Sequence, residues 1–365
     1  MKRRLVLIFL LAALACWAEL LTGVAQAARF VPADAGAIQY FGRWDRSQAG
    51  TVRTGRGAAY LRVDFTGTSL RLRLQDSQNW WRYAIDGREY TKFRPQGGET
   101  MLADQLAPGR HTLFLIRATE GQYGISTLLG LVLDDGAELL PAAPASPRRI
   151  EIVGDSIAAG AMNDGPLPLN YRTKEDGAAA FAPELARQLQ AEWSVVAKSG
   201  EGVARNYMEY YTGQHLHTED TYARTFYTEE QPHWNPASFP PQVILVTMGT
   251  NDFTDLPHKP TEQEFVAGYE RLLRLVRRLN PAAVIIGVEP VPAMIGPAAG
   301  NWVRQAVTAL QTAGDTELYF IPINAAGPLL QDSDYVGDGT HPTKAGAKKI
   351  ADYLRPRVAA IMGWE

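Results

Sequence analysis

The chain has 365 residues, a formal net charge of −3, 46% hydrophobic and 21% charged residues, which is the balance of a folded globular protein and not of a disordered one. Such mild acidity offers no basic patch for nucleic acid or for an anionic membrane, so no nucleic-acid partner is expected. The single cysteine, Cys16, leaves no disulfide to staple the fold, which must be held by its own core.

In chain order, Met1-Lys2-Arg3-Arg4 is a basic start, Leu5 to Ala15 an apolar run, and Ala25-Gln26-Ala27 a small-residue cleavage site. Residues 1–27 therefore read as a Sec-type signal peptide cut after Ala27, and the mature chain is expected to be secreted or periplasmic. Glu19 interrupts the run before it reaches spanning length, so no integral membrane span is expected. A lipoprotein attached through Cys16 is the less favoured alternative. Losing Lys2, Arg3, Arg4 and Glu19 removes three positive charges and one negative, taking −3 to −5.

Residues 28–140 read as an all-β sandwich or jelly roll. Leu61, Val63 and Phe65 alternate with polar residues, as do Leu70, Leu72 and Leu74, and Tyr83-Ala84-Ile85 runs into the hairpin signal Asp86-Gly87. Residues 141–147, with three prolines among small residues, read as a stiff linker. Residues 148–365 alternate strands with helices: strands at Ile150–Val153, Ser194–Ala197, Val243–Thr247, Val284–Val288 and Leu318–Ile321, and helices near Pro183–Leu189, after the capping box at Thr261, near Trp302–Leu310 and after Pro342. That order predicts an α/β domain with a flavodoxin-like parallel sheet and helices on both faces.

Reactive groups in such sheets lie beyond the carboxyl ends of the strands. Gly154-Asp155-Ser156 ends the first strand, Ser199-Gly200-Glu201-Gly202 the second, and Gly249-Thr250-Asn251-Asp252 the third, while Asp338-Gly339-Thr340-His341-Pro342 precedes the last helix. A serine hydroxyl is a weak nucleophile that needs a base; His341 can take its proton, and Asp338, three residues earlier, can orient the imidazole. The Ser156 and Gly200 backbone N–H groups and the Asn251 amide can form an oxyanion hole. Asp155 reads as a loop organiser. His215, His217, Glu219, Asp220 and His233 suggest a metal site only loosely, because the stretch is turn-like; no metal and no cofactor are expected. Tyr207 and Trp234, like Tyr210, Tyr211 and Tyr222, either stack on sugar rings or hold a long loop down. Of the adjacent Trp80 and Trp81, one is expected to pack inside the β domain.

These four blocks resemble the SGNH (GDSL-like) hydrolases over residues 149–365, with Ser156, Gly200, Asn251 and His341 standing at the four named positions. Over nearly the whole mature chain, the β domain followed by Arg148-Arg149-Ile150-Glu151, Ser199 to Tyr207 and Gly249 to Phe253 resembles carbohydrate esterase family 2. The resemblance implies a jelly roll joined to an SGNH domain and removal of acetyl groups from xylan- or mannan-type polysaccharides. Thr340, where that family often carries an aromatic residue, and the long polar segment 208–239 depart from the pattern. The alternatives are another SGNH esterase or lipase, an O-acetyltransferase, or a non-catalytic carbohydrate-binding protein on this scaffold.

Overall fold

The computed structural model describes residues 28–165, 171–254 and 256–365. The expected signal peptide, with Cys16, lies outside the described residues.

Two antiparallel sheets face each other in the N-terminal part. One is built around Ser126–Leu133, which pairs on either side with Arg29–Pro32 and Leu70–Gln75; the other is built around Tyr60–Thr66 and Arg110–Arg117. Period-2 alternation explains the packing. Leu61, Val63 and Phe65 from one sheet and Leu70, Leu72 and Leu74 from the other are all at most 1% exposed and meet in one core. Trp81 joins that core, and Trp80 turns the other way, under Lys92 and Arg94. Asp86 and Gly87 take positive φ (54° and 68°) in the turn after Trp81–Ile85, but the ladder resumes only at Thr91.

Leu139–Leu140 closes the β domain by pairing with Phe65 and Asp64. The proline-rich stretch that follows is pinned to the next domain: Ser146 N donates to Glu192 Oε1 at 2.9 Å.

The C-terminal domain is a parallel sheet whose spatial order, by chain order of its strands, is second, first, third, fourth, fifth: Glu192–Ala197, Arg149–Gly154, Val243–Thr247, Val284–Val288, Leu318–Ile321. Its inner strands are buried on both faces and mostly apolar. Ile150, Ile152, Leu245 and Ile286 face a core formed with the helices Phe181–Gln188 and Lys344–Met362. Val153, Ile244, Val246 and Ile285 face the helices Glu262–Leu279 and Pro297–Thr312. The first of these helices opens on the expected capping box, with Thr261 Oγ1 accepting from Glu264 N and the Glu264 carboxylate accepting from Thr261 N.

The strand order reverses between the first and third strands, and this switch point is where an open α/β sheet leaves a crevice. Residues of the β domain continue one of the two cores: Tyr60 stacks on Trp193 with ring centroids 4.0 Å apart, and Trp193 Nε1 donates to Ala58 O at 3.1 Å. The β domain thus covers the edge strand Glu192–Ala197, an edge that would otherwise stand open.

Candidate active site

The first strand ends at Gly154, where only glycine fits: an added Cβ would lie 2.5 Å from Ala158 Cβ and 2.7 Å from Thr247 Oγ1. Asp155 then caps a single helical turn, Ser156–Ala159, its Oδ1 accepting from Ile157 N at 2.9 Å. Such a cap contributes about 1 kcal/mol. It also leaves Ser156 as the first helical residue. Burial pushes the Asp155 carboxyl up.

His341 reaches both partners. Its Nε2 lies 2.9 Å from Ser156 Oγ and its Nδ1 2.6 Å from Asp338 Oδ2. Asp338 Oδ1 accepts from the backbone N–H of Thr340 (2.9 Å) and of His341 (2.8 Å). Burial alone would raise the Asp338 carboxyl, but these hydrogen bonds outweigh it and hold it at about 2. An ionised carboxylate only accepts, so Nδ1 carries the proton and Nε2 is left to accept from the serine hydroxyl.

Asn251 opens a short turn after the third strand. Its Nδ2 donates one hydrogen to Glu201 O at 2.7 Å, which fixes the amide and leaves the second hydrogen of that nitrogen. Gly200 has φ +83°, while an added Cβ would meet nothing closer than 3.6 Å. Glycine is required there by backbone conformation, not by space. The N–H groups of Ser156 and Gly200 and the Asn251 amide are the donors that such a site would turn on a carbonyl oxygen.

Asp252 was not singled out by sequence reasoning, yet it ties the second and third loops together. Its carboxylate accepts from the N–H groups of Val203 (3.1 Å), Ala204 (2.8 Å) and Arg205 (2.8 Å), and burial pushes it up to about 6 against those bonds. The signal was its place beside Asn251. Glu201 is also buried, against Thr218 and Thr221, and burial pushes it up to about 7.

Tyr207 and Trp234 part company. Tyr207 N donates to Gly200 O at 2.8 Å, and its ring is 55% exposed beside the Gly200 loop. Trp234 is half-buried, with the Arg43 guanidinium 5.5 Å from its ring, in a separate pocket of about 370 Å³ shared with Tyr40 and Trp44 and lined by none of Ser156, Gly200, Asn251 or His341. The segment carrying Trp234 is drawn to the β domain by buried arginines. Arg43 donates to Tyr222 O and Arg224 O, and Arg56 to Thr221 O and Arg224 O. His215 and His217 both bond the Glu209 carboxylate (2.8 and 2.9 Å), and among the described residues no group of three or more His, Cys, Asp or Glu could hold a metal ion.

The GDSL-like Lipase/Acylhydrolase family model matches residues 152–349, more than half of the chain. The chain belongs to the GDSL-like lipase/acylhydrolase family. A second model, Carbohydrate esterase 2 N-terminal, matches residues 40–144 in front of it. Among similar proteins, the cellulase/esterase CelE of Acetivibrio thermocellus is 27% identical over 340 residues, 90% of this chain and 40% of that protein. An acetylxylan esterase / glucomannan deacetylase of Cellvibrio japonicus is 30% identical over 247 residues, 63% of this chain. The chain spans 40% and 66% of the lengths of these two relatives. A solved family two carbohydrate esterase from Clostridium thermocellum, in complex with cellohexaose, matches with a TM-score of 0.81 at 27% identity, covering 90% of this chain and 100% of that one. Among the described residues of this GDSL-like chain, no helix is long and apolar enough to cross a membrane.

Proposed function

We propose that this chain is an exported serine esterase that removes O-acetyl groups from a polysaccharide of the xylan or mannan type. The observation that carries the reading is His341, bonded at 2.9 Å to Ser156 and at 2.6 Å to Asp338. In the proposed reaction Ser156 Oγ attacks the acetyl carbonyl as its proton passes to His341 Nε2. Asp338 stabilises the imidazolium that results. Charge on the carbonyl oxygen is met by the Ser156 and Gly200 N–H groups and Asn251 Nδ2. The tetrahedral intermediate collapses, the sugar oxygen leaves with the proton from His341, and acetyl-Ser156 remains. Water, deprotonated by His341, then attacks the acetyl carbon; acetate departs and Ser156 regains its proton.

The acceptor reading rests on where apolar side chains are left exposed. Tyr207, Tyr210, Tyr211 and Leu216 stand 49–70% exposed after the Gly200 loop, and Met294, 69% exposed, touches Thr340 Oγ1 through its sulfur at 3.6 Å. Tyr210 stacks on His258 at 3.9 Å and 8°, in a pocket of about 430 Å³ that Asn251 also lines. Flat apolar faces next to an ester-cleaving centre suit sugar rings. The family two model over the β domain and the deacetylase relative support the same class. Export rests on the leader-like first 27 residues.

The test is Ser156→Ala on an aryl acetate and on acetylated xylan. Loss of both activities, with the fold intact, is expected; an unchanged rate on either refutes the assignment. Better turnover of long-chain esters than acetyl esters would favour a lipase.

A further inference from the structure

Glu120 belongs to the β domain and is completely buried, yet its carboxylate ends in the other domain. Glu120 Oε1 accepts from Ser199 Oγ at 2.6 Å, and Glu120 Oε2 accepts from the Ser199 backbone N–H. Ser199 immediately precedes Gly200, and the Gly200 N–H belongs to the peptide that joins the two. Holding Ser199 at both its nitrogen and its hydroxyl therefore aims that N–H.

The loop that presents Glu120 is itself held rigid. Arg117, fully buried, donates to Thr119 O (3.0 Å), Glu120 O (3.1 Å) and Gly124 O (2.7 Å). Asn79 Oδ1 accepts from both Arg117 Nη2 and Thr119 Oγ1, each at 2.8 Å. On the other side Glu175, from the catalytic domain, accepts from Glu120 N at 3.2 Å. Burial first, and the neighbouring Glu120 second, push the Glu175 carboxyl up.

The geometry points to Glu120 as a positioning residue for the oxyanion hole, through which the β domain completes the active site instead of only covering a sheet edge. It touches no substrate and acts through Ser199. This inference rests on the esterase reading given above. A carboxylate accepts from both Ser199 donors; glutamine in its place has one acceptor oxygen and turns an NH2 group toward the other donor. A displaced oxyanion donor slows the step in which charge develops and leaves ground-state binding alone.

The experiment compares Glu120→Gln, Ser199→Ala, the double variant and Ser156→Ala in the full chain, on an aryl acetate. Glu120→Gln is expected to lower kcat about 10- to 100-fold with KM within about twofold. Inactivation by a serine-directed aryl phosphonate, whose adduct carries an oxyanion, is expected to slow in proportion to kcat. The double variant is expected to be no slower than Glu120→Gln alone, because both act through one contact. A kcat within twofold of wild type for folded Glu120→Gln, or losses that multiply in the double variant, overturns the inference. If Glu120→Gln does not fold, Glu120→Asp and Ser199→Gly carry the same comparison, with a drop in kcat at constant KM as support and a change in stability alone as refutation. Ser156→Ala separates the two claims: its full activity would sink the esterase reading, whereas an inactive Ser156→Ala beside a fully active Glu120→Gln sinks only this one.

Discussion

Replacing Asp338 by asparagine should harm turnover more than deleting the side chain, and the reason lies in the backbone. The N–H groups of Thr340 and His341 both point at Oδ1, at 2.9 and 2.8 Å. In Asp338→Asn those two donors keep the amide oxygen on their side and force the NH2 group to the position of Oδ2, 2.6 Å from Nδ1 in the wild type. Nδ1 must then accept. The ring proton moves to Nε2, which can no longer take the proton of Ser156. The depression of the Asp338 carboxyl from 3.8 to about 2 corresponds to about 2 kcal/mol, and to about 1–2 kcal/mol after solvent screening of a side chain that is 23% exposed. That sets the cost of Asp338→Ala at roughly 5- to 30-fold in kcat. Asp338→Asn adds the wrong tautomer, and the matching change in serine-protease triads costs about 10⁴. Steady-state kinetics on an aryl acetate at pH 7–9 decide it. Asp338→Asn within threefold of wild type, or no slower than Asp338→Ala, would refute the tautomer argument.

Three further outcomes follow from the same geometry. Asn251→Ala removes one oxyanion donor and should cost about 10²–10³ in kcat with little change in KM, measured by initial rates; a large KM effect at constant kcat would contradict the role. Gly200→Ala, at φ +83° with room for the methyl group, should destabilise the fold by about 1–2 kcal/mol in denaturant titration and lower kcat, whereas an unchanged midpoint would show the backbone is not strained. Glu201 has a folded value of about 7, raised from 4.5, so the stability linked to its protonated form is complete below about 4.5 and is lost as pH rises through 7. The loss amounts to about 3 kcal/mol, and Glu201→Gln should flatten it between pH 5 and 9; parallel pH profiles for the two proteins would refute it.

The parts legible in the sequence are those with a local signature. The alternation of Leu70, Leu72 and Leu74, the β-branched run Val243–Thr247 and the Thr261 capping box each state their element within a few residues. Ser156, Gly200, Asn251, Asp338 and His341 stood out because each sits where a strand ends or a helix begins, and the parallel topology carries such ends to one rim. What stayed hidden depends on partners far away in the chain. Glu120 meets Ser199 across 79 positions, and Asp252 meets Val203 across 49. An arginine such as Arg117 reads as a surface residue until its carbonyl partners are known, since charged side chains are rarely buried without them. The place of Trp234 stayed open for the same reason: its segment has no apolar periodicity of its own, and its position follows from Arg43 and Arg56 in another domain.

Acetate release is the most direct test of the whole account. Wild-type protein and Ser156→Ala, matched for folding, would be incubated with acetylated xylan, mannan, pectin and a bacterial glycan, and free acetate measured over time. Release by the wild type from a xylan- or mannan-type substrate is expected, with none above background from Ser156→Ala. Equal release by the two proteins, or no release by the wild type from any acetylated glycan, would contradict it.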